Sequence, residues 1–501
     1  MDYVYAKAKT GTYKGFRTPE NTLEFLGIKY AQTPLRWKRA KKLPEGEGLI
    51  DATQYGPVCA QPIDPVEYKD GVPFVCEGAL TLNVYTSGLD TKKPVYVYIH
   101  GGSFIGGSVH IKCMEGIYCG DQFVKNHPDI VYVNLTYRTG VFGALDISEV
   151  DGKGEYPDSN NLNTLDQMAA LEWIHENIEA FGGDPDNITV GGQSAGSYSV
   201  TVLMMIPEAR KYFKRAILES SCPTDKEMKT LETAKQAAAL FREMTGAKTM
   251  DDLLALTMDE IIACEEELLF KGPRGAFSPT RDGRLVPLMP EAAIEEAGKS
   301  GIVWLSGTNE GEYDSMMADM GVDGFREMMK RRYPDCTEAD LEAAVNNYPE
   351  RDERTALMDL HNDAGMRLRQ VKMAEAYTKG GGKVYYYFTV MKPEGNYARC
   401  QHCTELAAVA GKPQVKVSLY PPEKKQWLLG EKPDMGYVNL INDIWCNFIR
   451  TGDPNGKGVN TDWVPYSLTD RETAVIGNGG EIRMENEPRS RDMDIARRIG
   501  Q

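Results

Sequence analysis

The sequence predicts an α/β fold with a mainly parallel central sheet flanked by helices. Apolar runs alternate with amphipathic stretches from about residue 80 to 220. The runs at 95–99 and 130–135 have the composition of strands buried on both faces. Strands separated by helices favour parallel pairing, because each parallel connection needs a crossover long enough to hold a helix.

The strands are predicted from short apolar runs, taken in chain order. They are expected at about 80–85, 95–99, 130–135, 188–190, 215–218, 302–305 and 384–390.

One long helix is predicted between the third and fourth of these strands. Apolar residues from Leu165 to Phe181 recur at helical spacing. Thr164 and Gln167 have the spacing of a capping box, so we expect the helix to begin there. Gly182 is expected to end it, since glycine commonly terminates helices.

We expect residues 1–501 to form a single domain. The stretches at about 226–270 and 314–378 are largely helical by pattern and interrupt the order of strands. No Pro- or Ser-rich linker lies at their edges, so we interpret them as helical insertions over one sheet.

Composition and charge restrict the partners that this chain can have. Its net charge of −16 disfavours nucleic acid and anionic membranes, both of which attract positive surfaces. The N-terminal residues show no secretory signal, and no apolar run is long enough to span a bilayer. The ten cysteines are scattered and do not form a disulfide scaffold. These features together predict a cytoplasmic protein.

A serine stands in G-x-S-x-G between a predicted strand and a helix-competent stretch. Ser194 follows the apolar run at 188–190 and is flanked by Gly192 and Gly196. A strand that turns sharply into a helix at a serine is a nucleophile elbow, which raises the hydroxyl above a parallel sheet. So tight a turn leaves no room for a Cβ at the two glycines. Ser194 is therefore the candidate nucleophile for acyl transfer.

Only six histidines are available as the general base. The chain order of serine, acid and histidine that accompanies such elbows leaves His361 and His402. His361 lies in a helical pattern, where a packing role suffices. His402 lies in a loop after the strand at 384–390, and loops commonly carry functional residues. We favour His402.

The acid is harder to choose, because carboxylates are abundant. Glu310 follows the predicted strand at 302–305, where a carboxylate can accept the imidazole N–H and stabilise imidazolium. Asp282 and Asp314 are rivals, and either could equally be a turn or helix-cap residue. The residues alone leave this choice open.

Glycines follow the buried run at 95–99 and indicate an oxyanion hole. The backbone N–H groups of Gly101 and Gly102, with that of Ala195, can point at a developing oxyanion. The alternative is an ordinary tight turn after a strand, but a turn alone explains the glycine-rich loop less economically.

Cys400 and Cys403 form a C-x-x-C pair, which can indicate redox chemistry or zinc. A structural zinc site usually has four Cys or His ligands, and no second paired cluster accompanies this one. We therefore expect no metal and no cofactor.

These residues resemble the type-B carboxylesterase family, the α/β-hydrolases that include cholinesterases and bacterial para-nitrobenzyl esterases. The segment 181–197 is similar to the family's long serine-site signature, and 25–31, 82–85 and 447–455 are similar to shorter family segments. The resemblance covers nearly the whole chain. It implies an α/β-hydrolase fold whose helical insertions form the substrate gorge, and a serine carboxylesterase acting on small-molecule esters.

Carried over to this sequence, the resemblance makes Ser194 the nucleophile and His402 the base. The segment from Asn309 to Gly311 is similar to the one that carries the family's glutamate, which favours Glu310 as the acid.

The resemblance also implies roles around this triad. Gly101, Gly102 and Ala195 would supply the oxyanion N–H donors. Ser220 falls where the family has a serine that supports the acid, although it could equally be a strand-end hydroxyl with no such role.

The sequence departs from the family at a disulfide. Ala79 replaces a cysteine that normally pairs with one corresponding to Cys59, so the usual disulfide cannot form. Cys76 could substitute as the partner, but a reducing compartment is the simpler interpretation.

Other departures concern the substrate. Pro273 and Gly275 fall near positions that carry acyl-pocket phenylalanines in acetylcholine-specific members, and Cys403 replaces a glycine or small residue. A roomier acyl site than that of a cholinesterase is expected. The alternatives are the same chemistry on amide, carbamate or thioester bonds, a lipase, and a non-catalytic binding protein on the same fold.

Overall fold

The structure, a computed structural model, describes residues 2–32, 35–62, 75–109, 116–395, 399–417 and 426–500. Contacts between residues divide the chain into two compact units. The first unit comprises Met1–Ala216 and Glu227–Ala293, and the second comprises Ile217–Lys226 and Ile294–Gln501. Both units combine strands with helices, as the predicted α/β class requires.

The strands of the first unit lie mainly before residue 194. In chain order they are β1 (Asp2–Ala8), β2 (Gly11–Arg17), β3 (Leu23–Lys29), β4 (Ala31–Gln32), β5 (Lys41–Lys42), β6 (Leu49–Asp51), β7 (Val58–Cys59), β8 (Val75–Cys76), β9 (Thr81–Thr86), β10 (Lys93–Ile99), β11 (Val131–Leu135), β12 (Gly183–Gln193), β13 (Arg215–Glu219, of which 217–219 belong to the second unit), β14 (Lys229–Thr230) and β15 (Thr280–Arg281).

The main sheet of this unit has the order β1-β2-β3-β9-β11-β10-β12. β10 pairs in parallel with both β11 and β12, and these buried strands form the centre that the sequence predicts. β1, β2, β3 and β9 pair antiparallel, as do β9 and β11. Apolar runs do not reveal β1 and β2 because their exposed and partly buried residues alternate with buried ones.

Helices cover the strands of the first unit. They are α1 (Asp121–Asn126), α2 (Gly140–Ala144), α3 (Leu162–Asn177), α4 (Ala195–Met205), α5 (Pro207–Arg210), α6 (Leu231–Thr245), α7 (Met250–Ala255), α8 (Met258–Lys271) and α9 (Pro290–Ala297, of which 294–297 belong to the second unit); a 3-10 turn, Ile178–Phe181, extends α3.

The start of α3 differs from the prediction. The helix begins at Leu162, so Thr164 and Gln167 lie inside it and are buried. The side-chain amide of Gln167 donates to the Ser199 hydroxyl at 2.9 Å and forms no capping box. Tertiary packing therefore uses the polar group that the sequence pattern assigns to a cap.

The second unit contains the remaining strands and helices. The strands are β16 (Val303–Asn309), β17 (Lys383–Thr389), β18 (Lys416–Val417), β19 (Gln426–Trp427), β20 (Glu472–Ile476) and β21 (Ile482–Asn486). The helices are α10 (Val322–Arg332), α11 (Glu338–Asn347), α12 (Glu353–Asn362), α13 (Leu368–Lys379), α14 (Thr404–Val409), α15 (Met435–Thr451) and α16 (Ser490–Ile499), with a π-helical turn, Asp363–Arg367, between α12 and α13.

Its sheet has the order β13-β16-β17-β20-β21. β17 pairs in parallel with β16 and β20, and β21 closes the edge antiparallel. Because parallel strands end at the same sheet edge, the loops after β16 and β17 lie next to each other.

Helices occupy both stretches in which insertions are expected, with α6–α8 largely in 226–270 and α10–α13 largely in 314–378. The organisation as one domain with insertions stays a prediction. Within the described ranges, no helix is both long and apolar enough to cross a membrane.

Candidate active site

Ser194 stands at a strained turn between β12 and α4. Its φ is +58° and its ψ is −125°, a sparsely populated combination that costs a non-glycine residue about 1–3 kcal/mol. A Cβ on Gly192 would lie 2.8 Å from the carbonyl oxygen of Gly196, and a Cβ on Gly196 would collide with that of Ile99. The elbow therefore needs both glycines, while the partly exposed Ser194 remains accessible.

The glycine loop after β10 lies against this serine. β10 and β12 are parallel neighbours, so both strands end at the same edge. A Cβ on Gly101 would lie 3.2 Å from the Cβ of Ser194, and Gly102 has a φ of +110°. Ala195 begins α4, where the first N–H groups of a helix have no partner within it. The structure thus gathers the predicted nucleophile and oxyanion residues at one place.

Several contacts hold the glycine loop in position. The Nδ1–H of His100 donates to the Gly101 carbonyl at 2.8 Å, and its ring stacks on Tyr137. Burial lowers the pKa of His100 to about 4, so the ring is neutral. Further along, the N–H of Gly140 donates to the Phe104 carbonyl at 2.7 Å.

His402 forms a buried acid–base pair with Glu312 in the second unit. Its Nδ1–H donates to Glu312 Oε2 at 2.6 Å, and the glutamate side chain is 1% exposed. Burial alone would lower the pKa of His402, but the hydrogen bond and the charges of Glu312 and Glu405 raise it above its ordinary value. A histidine held in this way can accept a proton through Nε2.

Glu310, the predicted acid, is not the partner of His402, so that prediction is wrong. Its carboxylate pairs instead with Arg489, at 3.8 Å, and burial raises the pKa of its carboxyl. The Glu310 N–H donates to the Thr389 carbonyl and so extends the ladder between β16 and β17. The chain turns only after Gly311, and the next side chain, Glu312, reaches the histidine.

Glu312 is the partner of His402 that sequence reasoning missed. Its side chain folds back on the strand end, where Oε1 accepts the Asn309 N–H at 2.7 Å while Oε2 faces His402. The only signal in the sequence is a second glutamate two residues after Glu310. Two acidic residues flanking one glycine cannot be distinguished without the turn geometry.

The other candidates for the acid and the base, Asp282, Asp314 and His361, form different contacts. Asp282 accepts the N–H groups of its own turn in the first unit, and Asp314 pairs with Arg399. The ring of His361 stacks on Tyr313, with centroids 4.7 Å apart.

Ser220 is buried at a φ of +56° and donates its N–H to the Gly307 carbonyl. Within the described residues its hydroxyl has no hydrogen-bond partner. The hydroxyl therefore forms no hydrogen bond with Glu310 or Glu312, contrary to the expected supporting contact.

Four cysteines raised the alternatives of a disulfide, redox chemistry or zinc, and none of them is in a disulfide: Cys59, Cys76, Cys400 and Cys403. Cys59 and Cys76 are register partners of the parallel strands β7 and β8, and neither forms a disulfide. Burial raises the pKa of Cys400, which lowers its reactivity, and Cys403 precedes α14 at a φ of +72°. Among the residues described, no group of three or more His, Cys, Asp or Glu could hold a metal ion.

The chain is similar to known carboxylesterases over most of its length. The model of the carboxylesterase family matches residues 4–496. The para-nitrobenzyl esterase of Bacillus subtilis is 31% identical and covers 98% of each chain. The phenmedipham hydrolase of Pseudarthrobacter oxydans is 30% identical over 91% of this chain and 92% of its own.

Solved structures give the same result. A carboxylesterase of Geobacillus stearothermophilus superposes with a TM-score of 0.82 at 28% identity, over 98% of this chain and 99% of the other. A thermophilic para-nitrobenzyl esterase gives 0.81 at 30% identity, with the same coverage. The predicted α/β-hydrolase fold is confirmed.

Proposed function

Because the chain belongs to the carboxylesterase family and is a carboxylic-ester hydrolase, we propose that Ser194, His402 and Glu312 catalyse the reaction through an acyl-enzyme intermediate. The observation that carries the proposal is the elbow itself. Ser194 is held at a strained φ between β12 and α4, with the backbone of Gly101 against its Cβ.

In this mechanism His402 Nε2 takes the proton of the Ser194 hydroxyl as its oxygen attacks the ester carbonyl. Glu312 keeps the proton of the imidazole on Nδ1 and stabilises the imidazolium. The N–H groups of Gly101, Gly102 and Ala195 bind the oxyanion. His402 then protonates the leaving alcohol, and water repeats the sequence to release the acid.

Substitution of the nucleophile tests the proposal. Ser194→Ala is expected to lower kcat roughly 10⁶-fold while substrate binding is largely kept. The matched control is Ser197→Ala on the same helix, since that buried hydroxyl has no hydrogen-bond partner within the described residues. Retention of most ester turnover by Ser194→Ala would exclude the proposed mechanism.

The substrate is proposed to be a small-molecule ester in the cytoplasm. A panel that varies acyl length against alcohol size, including para-nitrobenzyl esters, measures the preference. Acyl thioesters are the second candidate class, because a relative from Anas platyrhynchos, 27% identical, is named a medium-chain fatty acyl-CoA hydrolase. Matched oxygen esters and CoA thioesters of the same acyl chain separate the two.

A further inference from the structure

Asn309, the last residue of β16, forms hydrogen bonds to Glu312 and to residues on both sides of His402 in the sequence. It is 2% exposed. Its backbone N–H donates to Glu312 Oε1 at 2.7 Å. Its side-chain amide donates to the carbonyl of Gln401, the residue before His402, at 3.1 Å, and to Glu405 Oε2 at 2.5 Å.

The acceptor end of the same amide is also used. Asn309 Oδ1 accepts the thiol of Cys400 at 3.3 Å. One side chain therefore bonds two residues of the histidine loop and a buried glutamate of α14. An apolar side chain of the same size cannot replace these contacts, because the buried polar groups that Asn309 bonds would then lose this partner.

The glutamate that Asn309 holds lies among other acidic groups. Glu405 is fully buried, and its second carboxyl oxygen has no hydrogen-bond partner within the described residues. Several titratable groups on neighbouring elements either shift the pKa of Glu405 or have their own pKa shifted by its charge. They are Glu219, Glu312, Tyr387, Cys400, His402 and Tyr437.

We propose that Asn309 is a positioning residue of this esterase, which fixes the His402 loop against Glu312 and holds Glu405 as a charge-regulating neighbour of the histidine. This inference rests on the proposed function. Asn309 touches no reacting atom. It acts by keeping the carboxylate, the imidazole and the second glutamate in one arrangement.

Glu405 gives the proposal a signature in the pH profile. Burial and the charge of Glu312 raise its pKa to about 7, and the hydrogen bond from Asn309 opposes this rise. Once ionised, Glu405 adds negative charge near His402 and raises the pKa of the imidazole. Loss of the Asn309 amide keeps Glu405 neutral to higher pH, so the pKa of His402 falls.

The experiment compares kcat, KM and the acid limb of kcat/KM, on one activated ester, for wild type, Asn309→Ala and Glu405→Gln. For Asn309→Ala, kcat should fall by up to roughly 100-fold, the cost of misplacing a catalytic group by about 1 Å. KM should change by less than about 3-fold, since no substrate contact is removed. The acid limb should move to lower pH.

Glu405→Gln keeps an oxygen that can accept the Asn309 amide but removes the charge. The plateau kcat should stay within about 3-fold of wild type, while the acid limb again moves to lower pH. This variant decides the question even if Asn309→Ala does not fold. An acid limb that stays at the wild-type position in Glu405→Gln overturns the proposal.

Asn442→Ala is the matched control. The Asn442 amide also donates to two carbonyls at the end of α14, those of Ala408 and Val409. It should lower thermal stability and leave the pH profile unchanged. Equal losses of kcat in both asparagine variants would overturn the proposal.

Ser194→Ala separates this inference from the function on which it rests. An active Ser194→Ala enzyme removes the proposed function. If Ser194→Ala is inactive but Asn309→Ala matches wild type in kcat and pH profile, only the positioning role is lost.

Discussion

Glu312→Gln should abolish most of the activity, whereas the same change at Glu310 should not. The Glu312 carboxylate accepts two N–H groups, from Asn309 at 2.7 Å and from His402 at 2.6 Å. An amide has only one oxygen. If that oxygen faces His402, the amide NH₂ meets the Asn309 N–H, donor against donor.

If the amide turns round, its NH₂ faces Nδ1 of His402. The imidazole must then carry its proton on Nε2, the nitrogen that has to accept the serine proton. A wrong tautomer of this kind costs roughly 10⁴-fold in kcat, or about 5 kcal/mol of transition-state stabilisation. Either orientation of the amide in Glu312→Gln is therefore expected to disturb the hydrogen bonds of the pair and lower kcat.

Glu310→Gln is the matched control two residues away. The Glu310 carboxylate lies 3.8 Å from Arg489, which also pairs with Asp359 and Asp363 at 2.8 and 2.7 Å. Because Arg489 keeps these two closer carboxylate partners, stability should change little and kcat should stay within about 3-fold.

The assay is steady-state hydrolysis of an activated ester at a fixed pH near 8, with unfolding curves to confirm that both variants fold. A larger loss of kcat in Glu310→Gln than in Glu312→Gln would refute the assignment of the acid.

Three further predictions follow from buried charges. Since Glu312 and Glu405 raise the pKa of His402, the midpoint of the acid limb of kcat/KM should lie above the ordinary imidazole value of about 6.5, and a midpoint below that value would contradict this. Asp166→Asn should cost roughly 3–5 kcal/mol of unfolding free energy, measured in urea, because Arg138 loses a bidentate partner in a pair that is 2% and 0% exposed; a cost below about 1 kcal/mol would contradict it. Burial lowers the pKa of Lys229 to about 7, so between that pH and about 10.4 the unfolded chain binds the extra proton and stability rises with pH. Lys229→Met should therefore stabilise the protein most below pH 7, and an advantage that grows towards pH 10 would exclude this cause.

The buried parallel strands were the most predictable part of the fold. The apolar runs at 95–99 and 130–135 correspond to β10 (Lys93–Ile99) and β11 (Val131–Leu135). Burial on both faces leaves a continuous apolar run, which the sequence records directly. The start of α3 was not predictable in the same way, because Gln167 bonds Ser199 of another helix.

In the candidate site, too, the residues that local sequence patterns determine were predictable, whereas the residue that depends on tertiary structure was not. Ser194 is predictable because a tight elbow imposes glycines at fixed spacing around it, and Gly101 because a glycine-rich loop follows an apolar strand. Both signals are local. The acid depends on where the chain leaves the β16–β17 ladder, which a single sequence does not record. Glu310 and Glu312 have the same residue type and stand on either side of one glycine.

An ion network explains why the two glutamates take different positions. Arg399, three residues before His402, binds both carboxylate oxygens of Asp314, two residues after Glu312, at 2.7 and 2.8 Å. The backbone bond from Gly311 to Cys400 joins the same two loops on the other side of Glu312. With the chain held at both points, Glu312 is directed at the histidine, while Glu310 lies near the buried arginines. These arginines come from positions 399 and 489, far from the strand end in sequence, so the choice of the acid is made by tertiary contacts that no local motif contains.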